Sequence, residues 1–334
     1  MGFKVVIVGG SVSGLSLASM LEKFDIEYIL LEAHSTIAPQ LGASIGLLPS
    51  GLRILDQLGC YDKIRALAGD CNYRASMRLF CGKFWADGKQ PTFSERLEHR
   101  IGYPQIFIDR QTLLRVLYDK LKFKDRVLTR KRVTRVDMTE GLVKVHTTDG
   151  SVYSGDIVVG ADGVHSAIRE EMWRHANESN NSGLFKPNEL SGLQAESKCI
   201  FGISKRPSQL SSKPLQINAF FKDCNYMILS APGDRLYWFL FTEMNKTYGK
   251  SIPRFTKEDE RLLAEQHFAD RVTDGTTFRD IYENRLHTTL VSLEDHVFPR
   301  WHFQRIITIG DAAHKGGNGA METAAVLVNK EQKA

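Results

Sequence analysis

A glycine-rich turn near the start of the chain, with an acidic residue ending the next apolar run, constrains the fold more than any other feature. Residues 4–8 predict a buried strand, and Gly9 and Gly14 lie where a turn and a helix would follow it. The first glycine permits the tight turn, the second lets the helix pack on the strand, and free amides at the helix N-terminus can bind a pyrophosphate. Glu32, at the end of the next apolar run, can accept hydrogen bonds from a ribose. The segment therefore predicts a nucleotide site.

The glycine fingerprint is incomplete, because Ser11 occupies the position of its middle glycine. That glycine normally lets the backbone approach the phosphates closely, and serine is small enough to be tolerated there. An ordinary glycine turn in an α/β protein is the alternative interpretation. The apolar run before the turn and the acid after it favour the nucleotide site.

Composition narrows the class of protein. A chain of 334 residues favours about two domains. The net charge of +5 comes from scattered lysines and arginines, which argues against a nucleic-acid partner. No apolar stretch approaches the length of a membrane span, and no signal peptide is recognisable. The five cysteines have no paired spacing, so we expect free thiols in a reducing compartment, with no disulfide framework or zinc site: Cys60, Cys71, Cys81, Cys199 and Cys224.

The pattern along the chain predicts alternating strands and helices in its first half, with a short β-meander, and an antiparallel sheet rich in aromatics after it. The polar segment 175–191 is the best candidate for a linker or a mobile loop. The aromatic sheet could line an apolar pocket, although strand side chains alternate and about half of them should fill a core instead. The predicted helices are 15–24, 52–58, 111–121 and 320–329, and the predicted strands include 28–32, 132–136, 143–147, 199–204, 216–221 and 236–241.

Two later segments repeat the order of strand, turn and helix. In the first, a strand leads through Asp162 and Gly163 into a helix that contains Arg169. In the second, a strand ends at Gly310 and Asp311, and glycines lead into the last helix. A carboxylate in that position could hold a sugar hydroxyl while the helix N-terminus faces an electron-rich group, although such turns are common without a ligand.

Together the three segments resemble the FAD-dependent monooxygenases of the p-hydroxybenzoate hydroxylase fold. Segments 42–46, 199–204, 236–241 and 282–285 are more closely similar to the fungal branch that epoxidises prenyl chains in indole-diterpene and meroterpenoid pathways. Ser11 is usual in that branch. The resemblance implies an α/β fold with a Rossmann-like FAD-binding domain and an interleaved α+β substrate domain built on an antiparallel sheet. We expect residues 1–174 and 301–334 in the FAD-binding domain and residues 175–300 in the substrate domain.

The resemblance also implies roles for single residues. In the FAD site, Gly9, Gly14 and Glu32 would hold the ADP half, and Asp311 the ribityl chain. The remaining assignments are Gly46 and Arg110 beside the flavin or pyrophosphate, Asp162 in a motif that serves FAD and NAD(P)H, and Gly317 in the FAD site.

Lys198 and Tyr226 are the candidate catalytic residues, although a solvated lysine and a packing tyrosine are the alternatives. Ser166 and Arg169 could be structural, and His314 could orient the flavin loop or be a structural histidine. The expected reaction uses NAD(P)H and dioxygen to epoxidise or hydroxylate a small hydrophobic, prenylated or terpenoid intermediate of secondary metabolism. We expect a cytoplasmic protein, with attachment to a membrane surface as the alternative.

Two departures from the family weaken the expectation of activity. The turn between His314 and Gly316 lacks several residues that relatives carry, and the chain ends at Ala334, where relatives continue. A displacement of the last helix by about an ångström would disturb the positions of the reacting groups, so we expect weakened FAD retention or impaired coupling. The alternatives to a monooxygenase are a flavin oxidase that releases hydrogen peroxide and a shortened, non-catalytic binding protein.

Overall fold

The computed structural model describes residues 2–39, 44–68, 75–80, 83–86, 93–179, 182–185, 189–212 and 214–331. Part of the 42–46 segment, Cys71 and Cys81 lie outside these ranges. The helices are α1 (Val12–Lys23), α2 (Pro49–Gln57), α3 (Tyr61–Ala68), α4 (Phe93–Ile101), α5 (Arg110–Lys120), α6 (Ala167–Glu178), α7 (Lys257–Gln266), α8 (Phe278–Glu283) and α9 (Gly317–Glu331).

Within the described ranges, the strands form two large sheets and three small ones. They are β1 (Lys4–Val8), β2 (Glu27–Leu31), β3 (Ser44–Leu47), β4 (Ala75–Phe80), β5 (Lys83–Ala86), β6 (Ile106–Asp109), β7 (Val127–Leu128), β8 (Val133–Thr139), β9 (Leu142–Thr147), β10 (Val152–Gly155), β11 (Ile157–Gly160), β12 (Gln194–Lys205), β13 (Leu215–Phe220), β14 (Cys224–Ala231), β15 (Arg235–Tyr248), β16 (Arg271–Thr273), β17 (Thr276–Thr277), β18 (Arg285–Asp295), β19 (His302–Phe303) and β20 (Ile306–Thr308).

A six-stranded sheet in the order β19-β20-β11-β1-β2-β7 forms the first layer. β1 pairs in parallel with β2 and β11, and β11 pairs in parallel with β20. The predicted continuous apolar run of β1 is buried on both faces, as a central parallel strand requires. Since parallel strands end at one edge, the turns after β1, β2, β11 and β20 converge there.

The predicted helices of this unit are confirmed as α1, α2, α5 and α9, with ends that differ by a few residues. Their buried faces pack together beside the sheet, and α1 contacts both α5 and α9. β8, β9 and β10 form the predicted meander. The predicted linker is partly wrong, because α6 runs through Glu178 with Ala176 fully buried, and the later Phe185 packs on Phe303.

The second large sheet has seven strands in the order β18-β12-β15-β14-β13-β4-β5. The predicted strands 199–204, 216–221 and 236–241 lie in β12, β13 and β15, and the described pairings among β12 to β15 and β18 are antiparallel. β4 pairs in parallel with β13, so this sheet also takes strands from residues 75–86. The boundary proposed at residue 174 therefore does not separate the strands of the two large sheets. No helix in the described ranges is long and apolar enough to span a bilayer.

One face of the seven-stranded sheet packs against α7 and α8 through a core of aromatic side chains. A Cβ atom at Gly202 would lie 1.9 Å from the indole ring of Trp238, so only glycine leaves room for that ring. The indole Nε1 donates to Ser204 Oγ at 2.7 Å, and Ser204 Oγ donates to the carbonyl of Ile281 in α8 at 2.8 Å. Tyr282 also packs on Trp238. Segments 199–204, 236–241 and 282–285 thus meet in one core.

Candidate functional site

The turn after β1 brings three backbone segments into close contact. Gly9 has φ of +108°, and a Cβ atom there would lie 2.3 Å from the carbonyl oxygen of Ala161 in the turn after β11. A Cβ atom at Gly14 would lie 1.9 Å from the carbonyl oxygen of Gly9. These contacts require glycine at both positions, and they direct the N-terminus of α1 into a cleft at the carboxyl edge of the sheet.

Glu32 lies beside this turn with its carboxylate held by two backbone amides. The Gly10 amide donates to Glu32 Oε2 at 2.6 Å, and the His34 amide donates to Oε1 at 2.7 Å. Glu32 is 8% exposed and lines the cleft. Because a carboxylate has about four acceptor positions, both oxygens keep capacity for the hydroxyls of a ribose.

Arg110 places a positive charge at the N-terminus of α1. Its Nη2 donates to Ser11 Oγ at 2.7 Å, which joins α5 to the glycine turn. Burial lowers the pKa of Arg110, while the negative charges of Asp311 and Glu32 oppose that shift. The guanidinium remains charged at neutral pH, so this part of the cleft suits a diphosphate.

Asp311 and Gly317 come from the turn after β20 and from the start of α9. Asp311 is exposed in the cleft, and its Oδ1 accepts a hydrogen bond from the Gly316 amide at 3.3 Å. Gly317 packs on Ile45 of β3, since a Cβ atom there would lie 2.8 Å from Ile45 Cδ1. The turn after His314 therefore places the start of α9 at the cleft, where Gly317 and Ala320 line it.

Gly46 contributes through its backbone and is not among the residues that line the cleft. The Asn318 Nδ2 donates to the Gly46 carbonyl at 2.9 Å, and Asn318 Oδ1 accepts from the Leu48 amide at 2.9 Å. Asn318 thus ties the first turn of α9 to β3 and to the start of α2. The glycine-rich sequence around it gave no sign of this role.

Asp162 lies at the cleft but also caps α6. Its Oδ2 accepts from the Ile168 amide at 3.2 Å, and its Oδ1 accepts from the Ser166 hydroxyl. Burial raises the pKa of Asp162, while these hydrogen bonds oppose the rise. Ser166 Oγ in turn accepts from the Arg169 amide at 3.0 Å. The structural interpretation of Ser166 is therefore supported.

Arg169 joins the second motif to the third. Its Nε donates to the Ala312 carbonyl at 2.6 Å, its Nη1 to the Arg300 carbonyl at 3.0 Å and its Nη2 to Thr308 Oγ1 at 2.7 Å. The guanidinium also lies 3.9 Å from the ring centroid of Phe298. Burial lowers the pKa of Arg169 to about 10. Since its donors hold the turn that carries Asp311, Arg169 positions that carboxylate.

The cleft has a volume of about 390 Å³. It is lined by the three motifs and by basic residues that the sequence did not single out. The lining includes Gly9, Gly10, Ser11, Ser13, Glu32, Ile45, Arg110, Lys131, Arg132, Asp162, Gly163, His165, Asp311 and Gly317.

These groups fit FAD in the order that the dinucleotide requires. Glu32 supplies a carboxylate for the ribose, and the start of α1 with Arg110 supplies donors and positive charge for the diphosphate. Asp311 and the start of α9 supply an acceptor and a helix N-terminus for the ribityl and flavin end. A bound FAD would therefore contact all three motifs.

The two candidate catalytic residues lie on the face of the seven-stranded sheet that α7 and α8 cover. Lys198 Nζ lies 5.5 Å from the ring centroid of Phe255, next to α7. The Tyr226 hydroxyl donates to Asp270 Oδ2 at 2.7 Å, and burial and this bond raise the pKa of Tyr226. Neither lines the cleft. Their catalytic roles stay predictions, and the structure does not bring them together with the cofactor-binding residues.

Comparisons with known proteins agree with this geometry. A family model described as an FAD binding domain matches residues 2–330. The FAD-dependent monooxygenase spyC of Aspergillus fumigatus is 40% identical over 341 residues, which cover 99% of this chain and 70% of that protein. The FAD-dependent monooxygenase ausM of Penicillium brasilianum is 39% identical over 98% of this chain and 69% of its own. The resemblance to fungal monooxygenases is confirmed.

Solved structures show the same fold at lower identity. Klebsiella pneumoniae HpxO complexed with FAD and uric acid has a TM-score of 0.77 at 23% identity, covering 99% of this chain and 80% of its own. The tetrameric form of 2-methyl-3-hydroxypyridine-5-carboxylic acid oxygenase has a TM-score of 0.73 at 19% identity, covering 100% and 83%. The expected p-hydroxybenzoate hydroxylase type of fold is confirmed. The chain belongs to the FAD-binding family of FAD-dependent monooxygenases.

Proposed function

We propose that this protein uses FAD, NAD(P)H and dioxygen to epoxidise or hydroxylate a small hydrophobic substrate of the prenylated or terpenoid class. The observation that supports this substrate class is an apolar face of the seven-stranded sheet. It carries Phe201, Phe239, Phe241, Met227 and Leu293, of which only Phe239 is fully buried. A partly accessible surface of aromatic rings and a thioether suits an aliphatic chain with double bonds.

The apolar face adjoins the cleft through β6. Phe107 of β6 packs on Phe239 with their ring centroids 6.1 Å apart, and the chain reaches Arg110 of the cleft three residues later. Arg235 of β15 forms an ion pair with Asp109, at 3.0 Å between Nη2 and Oδ2. Phe107 also pairs with Gly46 of β3, whose carbonyl accepts from Asn318 at the start of α9. A substrate on this face would therefore lie beside the flavin end of the cofactor site.

When bound, FAD would supply the redox chemistry of a monooxygenase, for which NAD(P)H is the reductant, one oxygen atom of dioxygen enters the substrate and the other leaves as water. The chain's own residues bind and position the reactants. Glu32 and Arg110 hold the two ends of the ADP moiety, and Asp311 orients the ribityl chain. The start of α9 would supply hydrogen-bond donors and the positive end of a helix dipole at the flavin end, while the aromatic face would exclude water. Arg132 at the cleft supplies positive charge for a phosphate of the donor.

The experiment is an oxygenation assay on FAD-loaded protein with NADH or NADPH, labelled dioxygen and a panel of prenylated aromatic and terpenoid substrates. We expect one labelled oxygen atom in the product and NAD(P)H consumption equal to product. Replacement of Met227 by Gln should raise KM for the apolar substrate, while replacement of the exposed Val152 of β10 by Gln, outside the seven-stranded sheet, should not.

The same assay separates the alternatives. Hydrogen peroxide equal to the NAD(P)H consumed, with no labelled product from any substrate, would identify an oxidase. Failure to retain FAD would support the non-catalytic interpretation and the effect expected of the short turn after His314.

We also propose a cytoplasmic location. It is supported by the free thiols of Cys60, Cys199 and Cys224, which lie buried in the described part of the chain. Fractionation of cells that express the protein, with and without washing of membranes, would distinguish the cytoplasm from a membrane surface.

A further inference from the structure

A thiol, an imidazole and a carboxylate meet on the helix-covered face of the seven-stranded sheet, away from the cleft. Cys224, His267 and Asp270 each offer one ligand atom, and these atoms all lie within 4.8 Å of one another. Cys224 begins β14, while His267 and Asp270 lie in the turn between α7 and β16. The three side chains therefore come from two distant parts of the chain.

One distance between ligand atoms falls in the range found around a tetrahedral metal ion, and the other is a few tenths of an ångström shorter. His267 Nδ1 lies 2.9 Å from Asp270 Oδ2, and Cys224 Sγ lies 3.5 Å from the same oxygen. Bonds of about 2.0–2.3 Å to zinc put neighbouring ligand atoms roughly 3.3–3.8 Å apart. Small side-chain adjustments would thus open the group enough to take the ion.

The surrounding backbone and side chains hold this group in place. The His267 amide donates to the Ala264 carbonyl at 3.1 Å, and the Asp270 amide donates to the His267 carbonyl at 3.0 Å. The Tyr226 hydroxyl donates to Asp270 Oδ2 at 2.7 Å. Carboxylate ligands are commonly oriented by such a donor.

An ion can reach the group from solvent. The side chains of His267 and Asp270 are 17% and 23% exposed, whereas Cys224 is 5% exposed. The sulfur thus lies at the inner end, with the nitrogen and oxygen ligands nearer the surface.

We propose that Cys224, His267 and Asp270 bind one Zn²⁺ ion, with water as the fourth ligand. Thiolate, imidazole and carboxylate together are ligands that zinc takes readily. On binding, the thiol proton leaves to solvent, and the imidazole keeps its proton on Nε2 while Nδ1 binds the metal. No oxidation or reduction occurs. The ion would fasten the turn between α7 and β16 to the first residue of β14. The cysteine spacing gave no sign of zinc, because the other ligands follow more than 40 residues later.

The test uses the full chain after treatment with a chelator. Titration with Zn²⁺ against a chromophoric competitor should give one ion per chain. Co²⁺ in the same site should give a sulfur-to-cobalt charge-transfer band. Zinc should also raise the midpoint of thermal unfolding. The variants C224S and H267Q should each lose the zinc-induced shift and bind zinc at least tenfold more weakly, about 1.4 kcal/mol. The control D274N, at an exposed position four residues after Asp270, should keep both.

Absence of zinc binding by the unmodified protein would overturn the proposal, as would a charge-transfer band that persists in C224S. If the variants do not fold, X-ray absorption spectroscopy of the zinc-loaded unmodified protein tests the proposal by identifying the ligand atoms. One sulfur among nitrogen and oxygen ligands supports the site, and a shell without sulfur contradicts it.

Discussion

The guanidinium of Arg110 lies 2.7 Å from the hydroxyl of Ser11, at the position where the dinucleotide fingerprint usually has its middle glycine. The serine is therefore a partner in the site. Its hydroxyl accepts from one guanidinium nitrogen and so holds the positive charge that would face a diphosphate beside the start of α1.

We expect Ser11→Ala to weaken FAD binding by about 1 kcal/mol, roughly fivefold in Kd, because Arg110 loses the acceptor that orients it. The measurement is the Kd for FAD from quenching of flavin fluorescence. Ser16→Ala is the matched control, since Ser16 Oγ is buried in the same helix and has no hydrogen-bond partner among the described residues. An equal loss in both variants would contradict the role of Ser11.

Glu32→Gln should weaken FAD binding by about 2 kcal/mol, roughly 30-fold in Kd. An amide has one acceptor oxygen, so its NH₂ group would face the amide of Gly10 or His34. The Kd for FAD again provides the measurement, and Glu27→Gln serves as the control because Glu27 is exposed at the start of β2, the strand that leads to Glu32. Unchanged affinity in Glu32→Gln would show that the ribose is bound elsewhere.

Arg169→Lys should destabilise the fold by about 3 kcal/mol and also weaken FAD binding. A lysine has no planar group of donors, so it cannot donate at once to the carbonyls of Ala312 and Arg300 and to the Thr308 hydroxyl. Chemical denaturation measures the first effect and flavin retention the second. Arg135→Lys, at an exposed ion pair with Asp137, should change neither. Loss of stability with full FAD affinity would mean that Arg169 does not position Asp311.

Gly202→Ala should lower the free energy of unfolding by about 1–3 kcal/mol, because the added methyl group overlaps the Trp238 indole. Gly275→Ala, where a Cβ atom meets nothing within 4 Å, should cost far less. Denaturant unfolding of the two variants side by side makes the comparison. Similar values for both would show that Trp238 can move aside at little cost.

Lys198→Met should leave product formation per bound FAD unchanged, since Lys198 lies beside Phe255 on the face that α7 covers. Turnover in the coupled assay is the measurement, with unmodified protein at equal flavin content as the reference. A fall of tenfold or more would support the catalytic role that the resemblance implies.

The sequence predicted the parts of the site that lie within single segments. The turn at Gly9 and Gly14 and the carboxylate of Glu32 follow from local requirements on backbone and charge. The contacts of Arg169 with Ala312 and of Asn318 with Gly46 join residues 143 and 272 positions apart, and no local pattern encodes them. Such contacts depend on how the sheets are assembled.

The same limit applies to the candidate catalytic residues. Alternation along a strand predicts that Lys198 and Cys199 point to opposite faces. Which face adjoins the cleft depends on the packing of β6 against β15, where Phe107 meets Phe239. Both candidates, Lys198 and Tyr226, lie in the seven-stranded sheet, and the orientation of the sheet places them on the face that α7 and α8 cover.

The side-chain amide of Asn318 donates a hydrogen bond to the carbonyl of Gly46, a residue that the ribosome adds 272 positions earlier. The α9 end of the cofactor site thus cannot close until nearly all of this chain has been synthesised. β1 lacks its neighbour β11 until residue 160 has been made, and β11 lacks β20 until residue 308 has been made, so each of these apolar strands has an unpaired edge for part of synthesis. Chaperones and free FAD would act at different times on this nascent protein, since only a chain synthesised through α9 can present the finished site.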